Sequence, residues 1–521
     1  MANSKESYDI DTSNMIVEEG LNVYEGRKEI IINATIDDFR ADPIGIIQDN
    51  LGTIQSTHNI NVSQMKYLRR FEKGVQDILT KVRANGDTKI NNKHITNYAW
   101  EFTNFKKGYY VGKPIKYVDL NTDDTEDMKY FNMYLRSEKK ASKDLIKYEN
   151  MLLTGIAYTM TIPKRVKYDN EKESPFEYRI LNNEDWCVVR SNDTFKTKLF
   201  SMCFSKIKRE TLTYKVYTVY YDDICLILEL ASDNGLKLVE QRVQPIPNCI
   251  TEYQLNEQRM GVFEPILNSL NTLNKTRSNQ LDQLEEFVNN YLTFKNVDIA
   301  ALLEKIDALR QKRILAVQTN NPELPADIGN IAMDNDTTSV NSFYSNMEQR
   351  NYDIIGVPMA TSSTGQGVSG EAQVYGGGWE NAQTFASVDT LYIMQFEMED
   401  LEKFIEISQN STNTKTPNLI PANMEIKYTI NKSNNMLVKA QSSKYFVDMG
   451  CTYEQAFSFS EITDDPQTEG KIAELNKKQQ EQNSMELELQ KTERTNAITN
   501  NSNNSDNSNN ETSNNNQNIN E

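Results

Sequence analysis

A glycine motif is the first feature of this sequence that could do chemistry. Gly365-Gln-Gly367-Val-Ser-Gly370 has the GxGxxG spacing with which a tight turn brings backbone amides and a helix N-terminus to a pyrophosphate. A dinucleotide site also needs an apolar strand directly before the motif, but Ala360-Thr-Ser-Ser-Thr364 stands there. Asp389, a candidate ribose ligand, falls inside a predicted helix. The pattern favours a loop that leads into a helix.

A group of carboxylates is the second such feature: Glu397, Glu399, Asp400, Glu402 and Glu406. Carboxylates of this kind could hold Mg²⁺. Helical spacing places only some of them on one face, and a run of charges usually faces solvent. We therefore predict a solvated helix face.

Other chemistry has little to build on. The chain has two histidines, His58 and His94, and five cysteines without a Cys-x-x-Cys pair. A zinc site, a histidine-based triad and a disulfide framework are therefore disfavoured, and synthesis in a reducing cytoplasm is expected. We predict no catalytic, cofactor-binding or metal-binding residues and no enzyme activity.

Composition narrows the class further. The 521 residues contain 38% hydrophobic residues, carry a formal charge of -18 and include no apolar run long enough to span a membrane. An acidic chain is a poor tight binder of DNA, because affinity comes from neutralising phosphates. The same charge is compatible with a protein that surrounds DNA and lets it slide.

The elements that would position these residues are mainly helical. Apolar periodicity predicts helices, listed here in chain order, over 91–110, 125–153, 262–290, 337–356 and 371–408, with short helices over 41–84. The segment 176–250 is rich in β-branched and aromatic residues and predicts antiparallel strands. Short strands are expected at Tyr291–Lys295 and Arg313–Gln318, and a loop from Asn320 to Asp336. Trp100 and Trp186 are expected in the core. The fold class is α+β.

Five short segments carry a family resemblance. They are Gly108-Tyr-Tyr-Val-Gly112-Lys-Pro114-Ile, Gly155-Ile-Ala-Tyr158, Ile246-Pro247 with Gly261-Val-Phe263-Glu264, Ile354-Ile-Gly356-Val-Pro358, and Val368-Ser369-Gly370-Glu-Ala372. Their order and spacing over residues 90–410 resemble the portal proteins of long-tailed bacteriophages, the siphophage branch. The triple glycine Gly376-Gly377-Gly378 departs from that pattern, and residues after Ser411 match it only loosely.

The resemblance implies a mainly helical portal fold with wing, stem, clip and crown regions and an antiparallel β region in the wing. The implied divisions are a wing (41–261), a first stem helix (262–290), a clip (291–336), a second stem helix (337–356), a tunnel loop (357–370), a long wing helix (371–410) and a crown (411–495). The resemblance does not cover the two ends of the sequence. Their polar composition predicts an N-terminal arm (1–40) and a disordered Asn/Ser-rich tail (496–521).

The resemblance also suggests which residues meet partners. The tunnel loop that projects into a DNA channel would be Thr361, Ser362, Ser363, Thr364, Gly365, Gln366, Gly367, Val368, Ser369 and Gly370. Its hydroxyl and amide tips are uncharged, so none should trap a phosphate, and its glycines permit movement. Basic residues in the clip, which would contact the packaging motor or an adaptor, are Lys305, Arg310, Lys312 and Arg313. The residues themselves leave open a nucleic-acid contact or simply a solvated helix face.

The implied function is a portal: a ring at one capsid vertex through which double-stranded DNA is packaged and ejected. The implied partners are further copies in a closed dodecamer, DNA, the large terminase subunit, head–tail adaptor proteins, and the major capsid and scaffolding proteins, with no membrane. The location would be the virion. Two alternatives stay open: a nucleotide-binding enzyme that uses the 365–370 glycines, and another structural protein of the head or neck.

Overall fold

The computed structural model describes residues 15–18, 21–24, 26–82, 90–120, 126–164, 173–209, 212–231, 235–244, 246–288, 292–295, 321, 323, 327–330, 337–359, 378–411, 414–430, 436–460, 462–463 and 466–508. The chain divides into two compact units, Met1–Asn431 and Lys432–Glu521. Helices and antiparallel sheets are mixed in the first unit, so the α+β class is confirmed.

Ile30, Ile32 and Phe39 are buried in the folded core, whereas the sequence predicted an arm over residues 1–40. A hairpin of β1 (Met15–Glu18) and β2 (Leu21–Tyr24) precedes β3 (Ile30–Ile32) and α1 (Ile36–Ala41). Strand β3 pairs in parallel with a strand almost 160 residues further along, Ile30 opposite Val189. A pairing at that separation has no local sequence signal.

Helix α2 (Pro43–Glu72) is one helix of 30 residues where several short ones were predicted. The Asp42 side chain caps it by accepting from the Gly45 amide, and Pro43 occupies its first turn. Its glycines at positions 45 and 52 weaken the local signal without breaking the helix, because Ile47, Leu51 and Ile54 bury a continuous apolar stripe.

Helix α2 covers a six-stranded sheet in the order β11-β10-β9-β8-β7-β3. Its strands are β7 (Trp186–Ser191), β8 (Lys198–Arg209), β9 (Leu212–Tyr221), β10 (Ile224–Leu230) and β11 (Leu236–Val243). Phe39 of α1 stacks on Phe200 of β8, with ring centroids 4.7 Å apart. The predicted antiparallel strands within 176–250 are confirmed.

His58 of α2 is buried against this sheet. Its ring stacks on Phe204 at 4.2 Å, and its Nε2 donates to the Glu184 carbonyl at 3.0 Å. Burial lowers the pKa of His58 to about 4 from 6.5, partly opposed by that hydrogen bond. The folded state therefore holds the neutral ring in a pH range where the unfolded chain binds a proton.

Acidification from pH 7 to pH 5 should cost about 2 kcal/mol of unfolding free energy through His58 alone. The stability is present above pH 6.5 and is lost as the pH falls towards 4, because the folded pKa is the lower one. Urea titrations of wild type and His58→Gln at several pH values measure it. An undiminished pH slope in the variant would contradict the assignment.

A second layer joins three helices to a three-stranded sheet in the order β12-β5-β6. The helices are α3 (Tyr98–Val111), α4 (Glu126–Ser137) and α5 (Lys140–Thr154), and the strands are β5 (Ile156–Pro163), β6 (Phe176–Leu181) and β12 (Ile250–Gln254). A short strand, β4 (Lys116–Asp119), pairs with β15 (Met424–Lys427). The single helix predicted over 125–153 is two helices, because Lys139 adopts a left-handed φ of 54°.

Two helices follow the second layer: α6 (Leu267–Val288) and α7 (Thr337–Ile355). Between them, β13 (Leu292–Lys295) pairs with β14 (Asp327–Asn330). Strand β14 lies in the segment predicted as loop; Asp-Ile-Gly-Asn has little β propensity, and only its pairing with β13 makes it a strand. The strand predicted at Arg313–Gln318 lies outside the described residues.

Helix α8 (Trp379–Asn410) completes the first unit and packs across β12, β5 and β6. The second unit contains α9 (Met436–Asp448), α10 (Tyr453–Ser460) and α11 (Pro466–Ser508). Helix α11 continues past Asn496, where the disordered tail was predicted to begin. Its hydrogen bonds are local, and neither glycine nor proline occurs over 471–508.

The tryptophan predictions met different outcomes. Trp100, predicted in the core, is 56% exposed on α3, so that prediction was wrong. Trp186 is half-buried and packs near Tyr220, with ring centroids 5.8 Å apart. Trp379, at the start of α8, is half-buried beside Phe105 and Tyr109.

Candidate functional site

Two of the motif segments meet where α6 begins. Gly155 ends α5 with a φ of 77°, and a Cβ there would lie 2.1 Å from the Arg259 carbonyl oxygen. A Cβ on Gly261 would lie 2.4 Å from the Leu153 carbonyl oxygen. The Val262 amide donates to the Leu152 carbonyl at 2.7 Å. These backbones touch because both positions lack a side chain, and the contact fixes where the chain enters α6.

A buried ion pair holds the same point from the N-terminal side. The Arg27 guanidinium donates to Glu264, to the Thr154 carbonyl at 3.1 Å and to Gln64 at 3.0 Å. The second Glu264 oxygen accepts from the Gly261 amide at 2.7 Å. Burial raises the pKa of Glu264, and the charge of Arg27 opposes that shift. The start of α6 is therefore tied to the N-terminal segment, α2 and α5 together.

Helices α6 and α7 are joined to each other and to α3 by aromatic and polar contacts. The Arg277 guanidinium lies 3.9 Å from the ring centre of Tyr344. The Tyr98 hydroxyl donates to Glu348 at 2.6 Å and lies 2.9 Å from the Tyr344 hydroxyl. On the next turn the Tyr352 hydroxyl donates to Glu101 at 2.7 Å. The pair of helices is held as one element against the rest of the first unit.

The end of α7 and the start of α8 lie close together. Gly356 has a φ of 69°, and a Cβ there would lie 2.5 Å from the Phe385 ring. Gly378 has a φ of 79°, and a Cβ there would lie 3.5 Å from the Cα of Pro358. The two ends of segment 360–377 therefore meet. Residues Thr361 to Gly370 of the predicted tunnel loop lie outside the described residues.

The ends of the segment predicted as the clip also lie close together. Leu292 pairs with Asn330 and Lys295 with Asp327, which brings the ends of 296–326 together. The basic residues Lys305, Arg310, Lys312 and Arg313 also lie outside the described residues.

A buried charge cluster anchors α8, and here the predicted solvated face was wrong. Glu397 has a fully buried side chain between Lys140 and Lys147, at 2.5 and 2.6 Å. It also accepts from the Tyr117 hydroxyl at 2.6 Å. Burial opposes ionisation of Glu397, but the charges of the two lysines outweigh it and lower its pKa. Glu397 is a carboxylate held charged in the core.

Asp400, one turn further along α8, is likewise buried. It accepts from Thr159 at 2.9 Å, from Thr251 at 2.6 Å and from the Tyr253 hydroxyl at 2.7 Å. Glu402 is exposed as predicted. No described residues form a metal-binding group of three or more His, Cys, Asp or Glu side chains. Both buried carboxylates bind α8 to α5 and to the strands β5 and β12, a structural role.

Comparison with known families settles the class of protein. The family described as phage portal protein, SPP1 Gp6-like, matches residues 51–376. That match takes in α6, α7, the β13–β14 pair and nearly all of segment 360–377, and it spans more than half of the 521 residues. The chain belongs to this portal protein family. The siphophage resemblance is thus confirmed.

Membership of the portal family decides between the alternatives. Portal proteins of this family are structural and not enzymes, which excludes a nucleotide-binding enzyme that uses the 365–370 glycines. No curated protein matches the chain. Within the part of the chain that the structure describes, no helix is long and apolar enough to cross a membrane.

Proposed function

We propose that this portal protein assembles into a closed ring, a dodecamer, at one vertex of the capsid. Double-stranded DNA passes through the ring when it is packaged and when it is ejected. The observation that carries the proposal is the family match over residues 51–376, which includes both helices assigned to the stem. A head-to-tail interface that completes a rotation leaves no open edge, which suits a closed ring.

Exposed apolar side chains on α6 and α7 support the ring. Leu284 is 56% exposed and Phe343 51% exposed. Leu281, Leu284 and Val340 also line a groove of about 220 Å³ between the two helices. Apolar patches of this kind mark interaction sites, and in a ring the neighbouring subunit would cover them.

The two closed loops have separate proposed roles. Segment 361–370, held at its base by Pro358 and Gly378, would be the tunnel loop that meets DNA with uncharged tips. The clip between β13 and β14, with Lys305, Arg310, Lys312 and Arg313, would dock the large terminase subunit and later the head–tail adaptor proteins. The wing and crown would face the major capsid and scaffolding proteins. Synthesis in the host cytoplasm precedes assembly into the virion.

Electron microscopy of the purified full-length chain should show closed rings. Deletion of Ser363–Gly367 should leave the rings intact, because Pro358 and Gly378 can still close a shortened loop. The same deletion should block packaging, because it removes the residues proposed to meet DNA. DNA-filled heads are counted after infection with the deletion phage. Deletion of Thr512–Asn516 in the tail is the matched control and should package normally.

The ring and the channel role of the loop can be contradicted separately. Monomers or dimers alone at high concentration would overturn the ring. Normal DNA-filled heads from the Ser363–Gly367 deletion would overturn the channel role of the loop while leaving the ring in place.

A further inference from the structure

Strands β8 and β9 extend beyond the sheet that contains them. Strand β7 pairs with β8 only as far as Cys203, and β10 pairs with β9 only as far as Val216. Beyond those points β8 and β9 pair only with each other, from Lys206 opposite Lys215 to Arg209 opposite Leu212. We call residues 206–209 and 212–215 the β8–β9 ribbon. A two-stranded ribbon of this kind is marginally stable in water by itself.

Both faces of the ribbon are exposed. One face carries Lys206 and Lys215 directly opposite each other, with Lys208 next along the strand. The other face carries Ile207, 42% exposed, and Leu212, 62% exposed. Like charges opposite each other on a strand pair are destabilising, and exposed apolar side chains gain nothing in a lone chain. Binding of another molecule to the ribbon would therefore stabilise it.

Among the described residues, the ribbon lysines make no ion pairs. Arg209 pairs with Glu229 at 2.9 Å, but no ion pair links Lys206, Lys208 or Lys215 to a carboxylate among the described residues. At the root of the ribbon, Lys206 and Lys215 line an open groove of about 700 Å³ with His58. Glu184, in the same groove, lies 3.7 Å from Arg69 and 3.9 Å from Lys66. Asp185 also lines this groove but makes no ion pair with the lysines, so the three lysine charges are unpaired among the described residues.

Charge identifies the occupant. Residues 206–215 hold three lysines and Arg209 against the single acid Glu210, a net charge of +3. Because the whole chain has a net charge of -18, all its other residues together carry -21. Another copy of this chain, with its net negative charge, offers acidic surface that complements the ribbon. We propose that the β8–β9 ribbon of one subunit lies on an acidic surface of the next subunit. This inference rests on the proposed ring and names a contact within it.

The contact is tested by charge reversal with a matched control. Lys206→Glu, Lys208→Glu and Lys215→Glu are combined in one variant; Lys129→Glu, Lys415→Glu and Lys478→Glu, at exposed lysines elsewhere, form the control. Both variants change the net charge equally. Reversal keeps like charges opposite each other in the ribbon, so its effect on folding should be small. Circular dichroism and thermal unfolding check that both variants fold as wild type does.

Mass photometry then measures the protein concentration at which half of the subunits are in rings. We expect this concentration to be at least about tenfold higher for the ribbon variant than for wild type, and unchanged for the control variant. Raising the salt concentration should weaken wild-type rings more than ribbon-variant rings, because exposed charge pairs are screened. A photo-crosslinking residue at Thr213 should give subunit–subunit adducts, and one at the exposed Phe195 should give fewer.

The outcomes separate the two proposals. Absence of wild-type rings would overturn the ring and this contact with it. Wild-type rings with an equally stable ribbon variant would overturn the contact alone. If the ribbon variant instead keeps its rings but loses binding of duplex DNA in a gel-shift assay, the lysines face nucleic acid and the subunit contact is wrong.

Discussion

Replacing Glu397 by alanine should lower the free energy of unfolding by roughly 3–5 kcal/mol, the range for breaking a buried ion pair from one side. The substitution leaves Lys140 and Lys147 buried without the carboxylate that lies 2.5 and 2.6 Å from them. Asp144 remains between the two lysines and compensates only part of their charge. Urea titration of the purified chain, followed by circular dichroism, measures the loss.

Glu402→Ala is the control for that measurement. Glu402 lies on the same helix, one turn beyond the cluster, and is exposed, so its removal should change the free energy of unfolding by less than about 0.5 kcal/mol. Equal losses in the two variants would show that the cluster around Glu397 contributes no stability of its own.

The cluster also shows why the sequence predicted the wrong environment for Glu397 and Asp400. A run of acids on a helix is usually solvated, and nothing in α8 itself signals Glu397 as buried. The signal lies in α5, where Lys140, Asp144 and Lys147 occupy the same helical stripe as the buried Tyr148 and Met151. Charged residues on an apolar stripe predict a buried counter-charge, but the sequence does not say which distant residue supplies it.

Elements with strong local signals were predicted well. The helices α6 and α7 and the strands within 176–250 lie close to where periodicity placed them, and α3 ends as predicted but begins seven residues later. Elements that depend on distant partners were missed: β3 needs β7, and β14 needs β13. The break between α4 and α5 was also missed, because Lys139 takes a conformation that usually falls to glycine.

The motif glycines were found by resemblance, and the structure supplies their physical reason. Gly155, Gly261 and Gly356 each stand where a Cβ would meet another atom within 2.5 Å. None of these contacts can be read from spacing along the chain, since Gly155 and Gly261 lie in separate segments. The buried Arg27 that faces Glu264 had no signal, because its segment was predicted as an arm.

Gly155→Ala should be among the most damaging single substitutions in the chain, with an expected loss of about 4 kcal/mol or more. The new Cβ would lie 2.1 Å from the Arg259 carbonyl oxygen and 2.4 Å from its carbonyl carbon, and both are backbone atoms that cannot rotate away. The φ of 77° adds the strain of a left-handed alanine. Because this crossing fixes the start of α6, ring formation should fail together with folding.

Gly52→Ala is the matched control, since this glycine lies within helix α2 and a Cβ there would meet nothing within 4 Å. Alanine has the higher helix propensity, so the control should raise the free energy of unfolding by about 0.5–1 kcal/mol. Thermal unfolding of the two variants and wild type compares them directly. A Gly155→Ala protein as stable as wild type would mean that the Arg259 backbone moves aside at little cost. The crossing of Gly155 and Gly261 would then not be what positions α6.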